Sequence, residues 1–212
     1  LGAIAIPATN QLLAHDFTYR FQAAGVSAIV CTADGDTAHQ VDLALEETGL
    51  PVTKIIANGT REGWHSFDDE YKLFSRRYVR EADAPCGKDP MLMFFTSGTT
   101  GKGKGVMLSQ SNICLDMTLG MYNFAITKKT MNLLPPHHTF GSTVNYVGHF
   151  SQGCEIYISS GLRYMLKEMQ EQKPTHLVLV PLFVETRYRR IWATAEKSGS
   201  AAELKQGRKI CS

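Results

Sequence analysis

Apolar and polar positions along the chain fall into blocks that alternate between two periods. Gly2 to Ile6 reads as a strand and Leu12 to Ala24 as a helix with Leu13, Phe17, Phe21 and Ala24 on one face. Ser27 to Cys31 is the next strand, Thr37 to Thr48 a helix ended by Gly49 and Pro51, and Val52 to Ala57 a third strand. Phe67 to Arg77 predicts another helix, and the polar stretch from Tyr78 to Asp89, with Pro85 and Gly87, a connection. A short strand, Met91 to Phe95, then leads into a loop of Gly and Thr, a strand from Val106 to Leu108, and a helix capped by Ser109 that runs to about Phe124. The second half predicts a strand from Cys154 to Ile158 and a helix from Leu162 to Gln172 with Leu162, Met165, Leu166 and Met169 on one face. His176 to Val180 follows as a strand, and Leu182 to Lys197 as a helix entered through Pro181, ahead of a polar tail. Continuous apolar strands alternating with amphipathic helices predict an α/β fold of mostly parallel sheets covered by helices on both faces.

Composition narrows the class without naming a function. With 212 residues, 43% hydrophobic and 20% charged, the chain makes one large domain or two small ones with a core of useful size. Its formal net charge of +2 is too even to argue for a nucleic-acid partner. The longest apolar run, Leu177 to Val184, is broken by Pro181 and falls well short of the ~20 residues of a membrane span. Cys31, Cys86, Cys114, Cys154 and Cys211 are scattered and form no CxxC pair, which fits a reducing cytoplasm better than a disulfide framework or zinc ribbon. Cys114 and Cys154 read as small core residues, and Trp64 and Trp192 as packed ones. The chain opens on Leu1 rather than Met, so it reads as an internal piece of a longer protein.

The densest chemical signal is Thr96-Ser97-Gly98-Thr99-Thr100-Gly101-Lys102-Gly103-Lys104-Gly105, directly after an apolar strand. Four hydroxyls, four glycines and two lysines share ten positions. Glycines let backbone N–H groups wrap an anion, hydroxyls add short donors, and lysine supplies the point charge a phosphate chain needs. The alternative is a flexible polar hairpin tip. Gly98 to Lys104 also fits seven positions of a Walker A loop, but the eighth is Gly105 instead of Ser or Thr. A Walker loop opens straight into a helix, whereas Val106 to Leu108 reads as strand.

The segment TSGTTGKGKG resembles the signature phosphate loop of the adenylate-forming, AMP-binding enzymes, usually written YTSGTTGKPKG, with Gly103 where the family normally has proline. The superfamily includes acyl-CoA synthetases, luciferases and peptide-synthetase adenylation domains. Asn132-Leu133-Leu134-Pro135-Pro136-His137-His138-Thr139-Phe140-Gly141 resembles the family's next motif, a Leu-Pro strand end before a histidine and a small turn. The opening LGAIAIPA and Thr175 to Trp192 are similar to segments of fatty acyl-CoA synthetases, so the resemblance covers nearly the whole chain.

The resemblance implies part of the large N-terminal domain of an adenylate-forming enzyme, with residues 1–90 a Rossmann-like βα subdomain and residues 91–212 an incomplete subdomain for the phosphate loop and acyl pocket. It implies ATP, Mg2+ and coenzyme A, and a fatty acid or another carboxylate as substrate. Thr96, Ser97, Gly98, Thr99, Thr100 and Gly101 would hold the β- and γ-phosphates, with Lys104 at the loop's exit. His138 would stand beside the carboxylate and adenylate phosphate as the catalytic residue, and the helix near Ser142 to Ser151 would line either an acyl tunnel or plain core. No protein ligand to a metal is assigned. The family's Tyr-Gly-x-Thr-Glu motif, its ribose-gripping aspartate and its C-terminal lid lie outside these residues, so negligible turnover is expected of this piece alone. No nucleic-acid partner is expected; membrane association of the longer protein and its oligomeric state stay open. The competing readings are a non-catalytic nucleotide-binding module or partner subunit, and a Walker-type NTPase.

Overall fold

The computed structural model describes residues 2–80, 82–96, 103–123 and 126–210. They fall into two compact units, residues 1–116 with 136–139, and residues 117–135 with 140–212.

In the first unit, α1 (Ala14–Ala24), β1 (Ala28–Thr32), α2 (Thr37–Thr48), β2 (Thr53–Ala57) and β3 (His65–Ser66) form a three-stranded parallel sheet in the order β1-β2-β3 with two helices. β1 and β2 pair in register from Ala28↔Thr53 to Thr32↔Ala57. Phe17 and Phe21, one helical turn apart on α1, are 2% exposed and pack with Val41 and Ala44 of α2, Ile56 of β2 and Trp64. Leu12, not Leu13, completes this core. Leu13 sits at the helix N-cap and is 52% exposed, because the helix begins only after it. The far side of β1 presents Val30, 61% exposed.

Asp42 organises the rim of this core. It accepts hydrogen bonds from Lys54 Nζ at 2.7 Å, Arg61 Nε at 2.8 Å and Trp64 Nε1 at 3.1 Å. Burial alone would raise its carboxyl. The three donors outweigh that and hold it below the usual carboxylate range.

The helix expected from Phe67 to Arg77 is curtailed. It comprises α3 (Phe67–Glu70) and a 3-10 turn, Tyr71–Leu73. Leu73 and Phe74 are 82% and 71% exposed, so the apolar residues that suggest a longer helix have no core to bury against.

β4 (Pro90–Thr96) and β5 (Lys104–Ser109) form an antiparallel pair, and Ala5 bridges to Leu92, which is all that remains of the expected first strand. α4 (Gln110–Tyr122) then starts where Ser109 caps it. Ser109 Oγ accepts from Asn112 N at 3.2 Å while Asn112 Oδ1 accepts from Ser109 N at 3.0 Å, a reciprocal capping arrangement. Cys114 on this helix is exposed, contrary to a core assignment, and Cys154 is buried.

In the second unit β6 (Lys129–Asn132) and β7 (Glu155–Ile158) pair in parallel. The expected strand at His176 to Val180 is reduced to one bridge, Thr130↔His176, because its backbone N–H groups at Thr175 and His176 both turn onto the Lys129 carbonyl. Between β6 and β7 runs a π-helix, Gly141–Gly148, extended by the short α5 (His149–Ser151). α6 (Met165–Gln172), α7 (Pro181–Lys197) and α8 (Ala201–Ile210) complete the unit. Pro181 occupies the first turn of α7, as its lack of an N–H favours. α6 starts three residues later than its apolar spacing suggests, leaving Leu162 58% exposed, and it buries Glu168 beside Met165. Ser159 Oγ and Ser160 N donate to that carboxylate at 2.5 Å and 3.0 Å and hold it below its ordinary range. The polar tail is helical: Leu204 of α8 turns toward α6 and α7, where an apolar cavity of about 970 Å3 lies.

His149 is fully buried. Its Nδ1 donates to Val144 O at 2.7 Å, and its Nε2 lies 2.9 Å from His176 Nε2, the two rings stacked at 5.0 Å. Thr127 Oγ1, 2.7 Å from His176 Nδ1 and 2.6 Å from Thr175 Oγ1, extends this chain. Among the described residues no helix is long and apolar enough to cross a membrane.

Candidate functional site

The strand-loop-strand at β4 and β5 is where the sequence places a phosphate site. β4 alternates inward and outward, with Leu92 and Phe94 buried, so Thr96 emerges exposed at its end. Thr96 pairs with Lys104 across the ladder, and Phe95 with Gly105. Of the predicted loop residues, Thr96 and Lys104 are among the described ones, and they stand opposite each other at the neck of the loop. Ser97, Gly98, Thr99, Thr100 and Gly101 lie outside the described residues. A strand, not a helix, follows the loop, which removes the Walker A reading on geometry as well as on Gly105.

α1 braces this neck. Tyr19 donates its phenolic hydrogen to the Gly103 carbonyl at 2.7 Å, and its ring meets Phe95 edge-on at 6.1 Å. The Arg20 guanidinium lies 4.9 Å from the Phe95 ring centroid. Phe17 and Phe21, on the buried face of α1, fix that helix and so set where Tyr19 and Arg20 project. The spacing of α1 marks Phe17 and Phe21 as core but carries no signal that Tyr19 and Arg20 serve the loop, since their partners lie more than seventy positions away.

The two motif histidines belong to the same unit as the loop. His138 is exposed, and His137 is half-buried. Burial pushes the His137 imidazole down, and the adjacent His138 and the Arg20 guanidinium push it further the same way. Arg20 thus acts on His137, a link the motif alone does not show. The cationic side chains Arg20 and Lys104 suit an anion with several oxygens. Among the described residues no group of three or more His, Cys, Asp or Glu could hold a metal ion.

The strand end of the motif is organised within the second unit. Asn132 Oδ1 accepts from Leu134 N and from Asn145 Nδ2, each at 2.9 Å, so one buried amide ties the end of β6 to the π-helix. The cavity under α6, α7 and α8 is lined by Met165, Met169, Phe183, Ile191 and Leu204 among others, and contains none of the sequence-predicted site residues.

Comparison with known proteins bears on the family and the fold. The family model described as AMP-binding enzyme matches residues 1–208. The chain is 38% identical over 114 residues to the acyl-coenzyme A synthetase ACSM5, mitochondrial, of Mus musculus, a match covering 52% of this chain and 19% of that protein. It is 31% identical over 118 residues to ACSM4, mitochondrial, of Homo sapiens, covering 56% of this chain and 20% of the relative. The matched segments span only about a fifth of these relatives. Among solved structures, the luciferase-like enzyme of the mealworm Zophobas morio superposes with a TM-score of 0.74 at 16% identity, covering 87% of this chain and 43% of that one. The anthranilate CoA ligase AuaEII, solved with anthranoyl-AMP, gives 0.73 at 21% identity, covering 84% and 35%. These structural likenesses establish the fold: parallel sheets and helices of an adenylate-forming N-terminal domain. By its sequence match over nearly every residue, the chain belongs to the AMP-binding enzyme family.

Proposed function

We propose that the chain carries the phosphate-binding part of an AMP-forming acyl-CoA synthetase, an acid–thiol ligase acting on a fatty acid. In that reaction a substrate carboxylate oxygen attacks the α-phosphorus of Mg-ATP, and pyrophosphate leaves with the broken P–O bond. The thiol of coenzyme A, its proton passing to solvent, then attacks the acyl carbon, and AMP departs with the electron pair of the broken C–O bond. The observation that carries the reading is Thr96 paired with Lys104 across the neck of a Gly-, Ser- and Thr-rich loop.

Each residue has a task set by charge. Thr96 and the loop positions Ser97, Gly98, Thr99, Thr100 and Gly101 supply short donors to the β- and γ-phosphates, and Lys104 offsets their charge. Magnesium arrives with the nucleotide. His138 faces the substrate carboxylate and the nascent adenylate phosphate, and His137, beside Arg20, backs it. The acyl-CoA synthetase names of the relatives favour coenzyme A as the acceptor. Free Cys31, Cys86, Cys114 and Cys154 favour a reducing compartment such as the cytoplasm.

The test is titration of residues 1–212 with Mg-ATP. Lys104→Ala weakens binding roughly tenfold or more, the effect of losing a hydrogen bond to a charged group. Fatty-acid-dependent ATP–pyrophosphate exchange by residues 1–212 stays at background. Equal affinity in Lys104→Ala overturns the phosphate role. Nucleotide binding by a longer form that makes no acyl-AMP would move the chain to a non-catalytic binding module.

A further inference from the structure

We infer that Tyr19 is a positioning residue for the phosphate loop, pinning its exit through the Gly103 carbonyl. The inference rests on the proposed phosphate role of that loop.

Both residues that close the loop onto β5, Gly103 and Gly105, flank Lys104 without side chains of their own to hold them. An added Cβ at Gly103 would come within 3.1 Å of the Thr96 carbonyl oxygen, so the two strands run too close here for a side chain to serve as an anchor without adjustment. The anchor comes from elsewhere in the chain. The Tyr19 hydroxyl, on α1, donates to Gly103 O at 2.7 Å across 84 sequence positions. Because the peptide unit is planar, fixing the Gly103 carbonyl also fixes the direction of the Lys104 N–H and the path on which Lys104 enters β5.

The grip is two-sided. The Tyr19 ring meets Phe95 at 74°, and Arg20 covers the same ring, so one helix holds β4 through Phe95 and the approach to β5 through Gly103. α1 is itself immobilised by Phe17 and Phe21 in the core. Thr96 and Lys104 are thereby held in register before any phosphate arrives, and the entropy of ordering the loop's exit is not charged against binding.

The experiment compares residues 1–212 with Tyr19→Phe, which removes the hydroxyl and keeps the ring. The probe is Mg-tripolyphosphate, and backbone hydrogen exchange is followed in the unliganded protein. The affinity falls roughly three- to tenfold, the range for one hydrogen bond, and exchange quickens at Lys104 and Gly105 while the core amides of α2 and β2 keep their rates. Unchanged affinity in Tyr19→Phe, where the parent chain binds, overturns the positioning role and leaves the phosphate site standing. Exchange that quickens throughout the first unit also overturns it, by making Tyr19 an ordinary packing residue. If the parent chain itself fails to bind Mg-tripolyphosphate, the phosphate reading falls and the positioning role with it.

Discussion

Gly141→Ala destabilises the second unit by about 2–3 kcal/mol, the cost of forcing an atom into filled space. A methyl group at this position overlaps the Pro135 carbonyl oxygen and comes within 3.4 Å of Leu134 Cβ. Neither neighbour can step aside cheaply. Leu134 N is bound to Asn132 Oδ1, and Asn132 holds Asn145 of the π-helix, so moving the Pro135 peptide disturbs β6 and the π-helix together. Gly148→Ala provides the contrast. Its added carbon meets Met121 Sδ at 2.8 Å and Cε at 2.9 Å, the far end of a flexible side chain, so the smaller loss is expected there despite another close contact with Thr143 O at 3.2 Å. Urea unfolding followed by hydrogen exchange in β6 and β7 reads both variants. Equal losses would show that the Pro135 backbone yields as easily as a thioether.

Gly141 is also the last residue of the sequence motif that begins at Asn132, and the reason for it was not visible in the motif. A small residue could be expected in a turn, but the turn is the entrance of a π-helix pressed against Pro135. The elements that could be read from sequence are those whose cause is local. α2 begins and ends where its spacing and Gly49 place it, and Gly49 takes the left-handed backbone at φ 64° that glycine tolerates. Ser109 and Pro181 mark helix starts through bonds made or missing within one turn.

The misjudged elements depend on distant partners. Phe67 to Phe74 has the apolar content of a helix face, yet among the described residues Phe67, Tyr71, Leu73 and Phe74 all stay exposed. α8 reads as polar in sequence, and among its described side chains Leu204 lines the apolar cavity with residues of α6 and α7. The candidate site divides in the same way. The loop's chemistry is contiguous in sequence and therefore legible, as is the pairing of its neck once strands are assigned on both sides. Tyr19 and Arg20 are not legible, because α1 shows only its buried face as a pattern and their use of Phe95 and Gly103 is set by tertiary packing.

The stacked pair of His149, buried, and His176, half-buried, carries the other large expected effect. His149→Ala costs the second unit about 3 kcal/mol, from the cavity it leaves and the polar groups it orphans. Val144 O loses the Nδ1 donor, and His176 Nε2 loses its partner. His176 of this pair makes stability depend on pH. The acceptor-only Val144 carbonyl places a proton on His149 Nδ1, so one further proton suffices between the two facing Nε2 atoms. Charging His176 would put a cation against His149 and Thr127, with Thr175 beyond it, and the ammonium of Lys129 on the adjoining strand is committed to Glu155. Burial pushes the His176 imidazole down, and the neighbouring His149 pushes it further. An unfolded histidine titrates near 6.5, so below that pH the unfolded chain takes up a proton the folded unit resists. The stability from this group is present above pH ~6.5 and is lost as pH falls from there through the lower folded value. His137 biases the first unit in the same direction, so the measurement must follow amides of β6 and β7 rather than the whole chain. His176→Gln, which can donate to His149 Nε2 and accept from Thr127 without titrating, flattens the dependence between pH 7.5 and 5.5. A slope that survives this substitution would place the titrating group elsewhere.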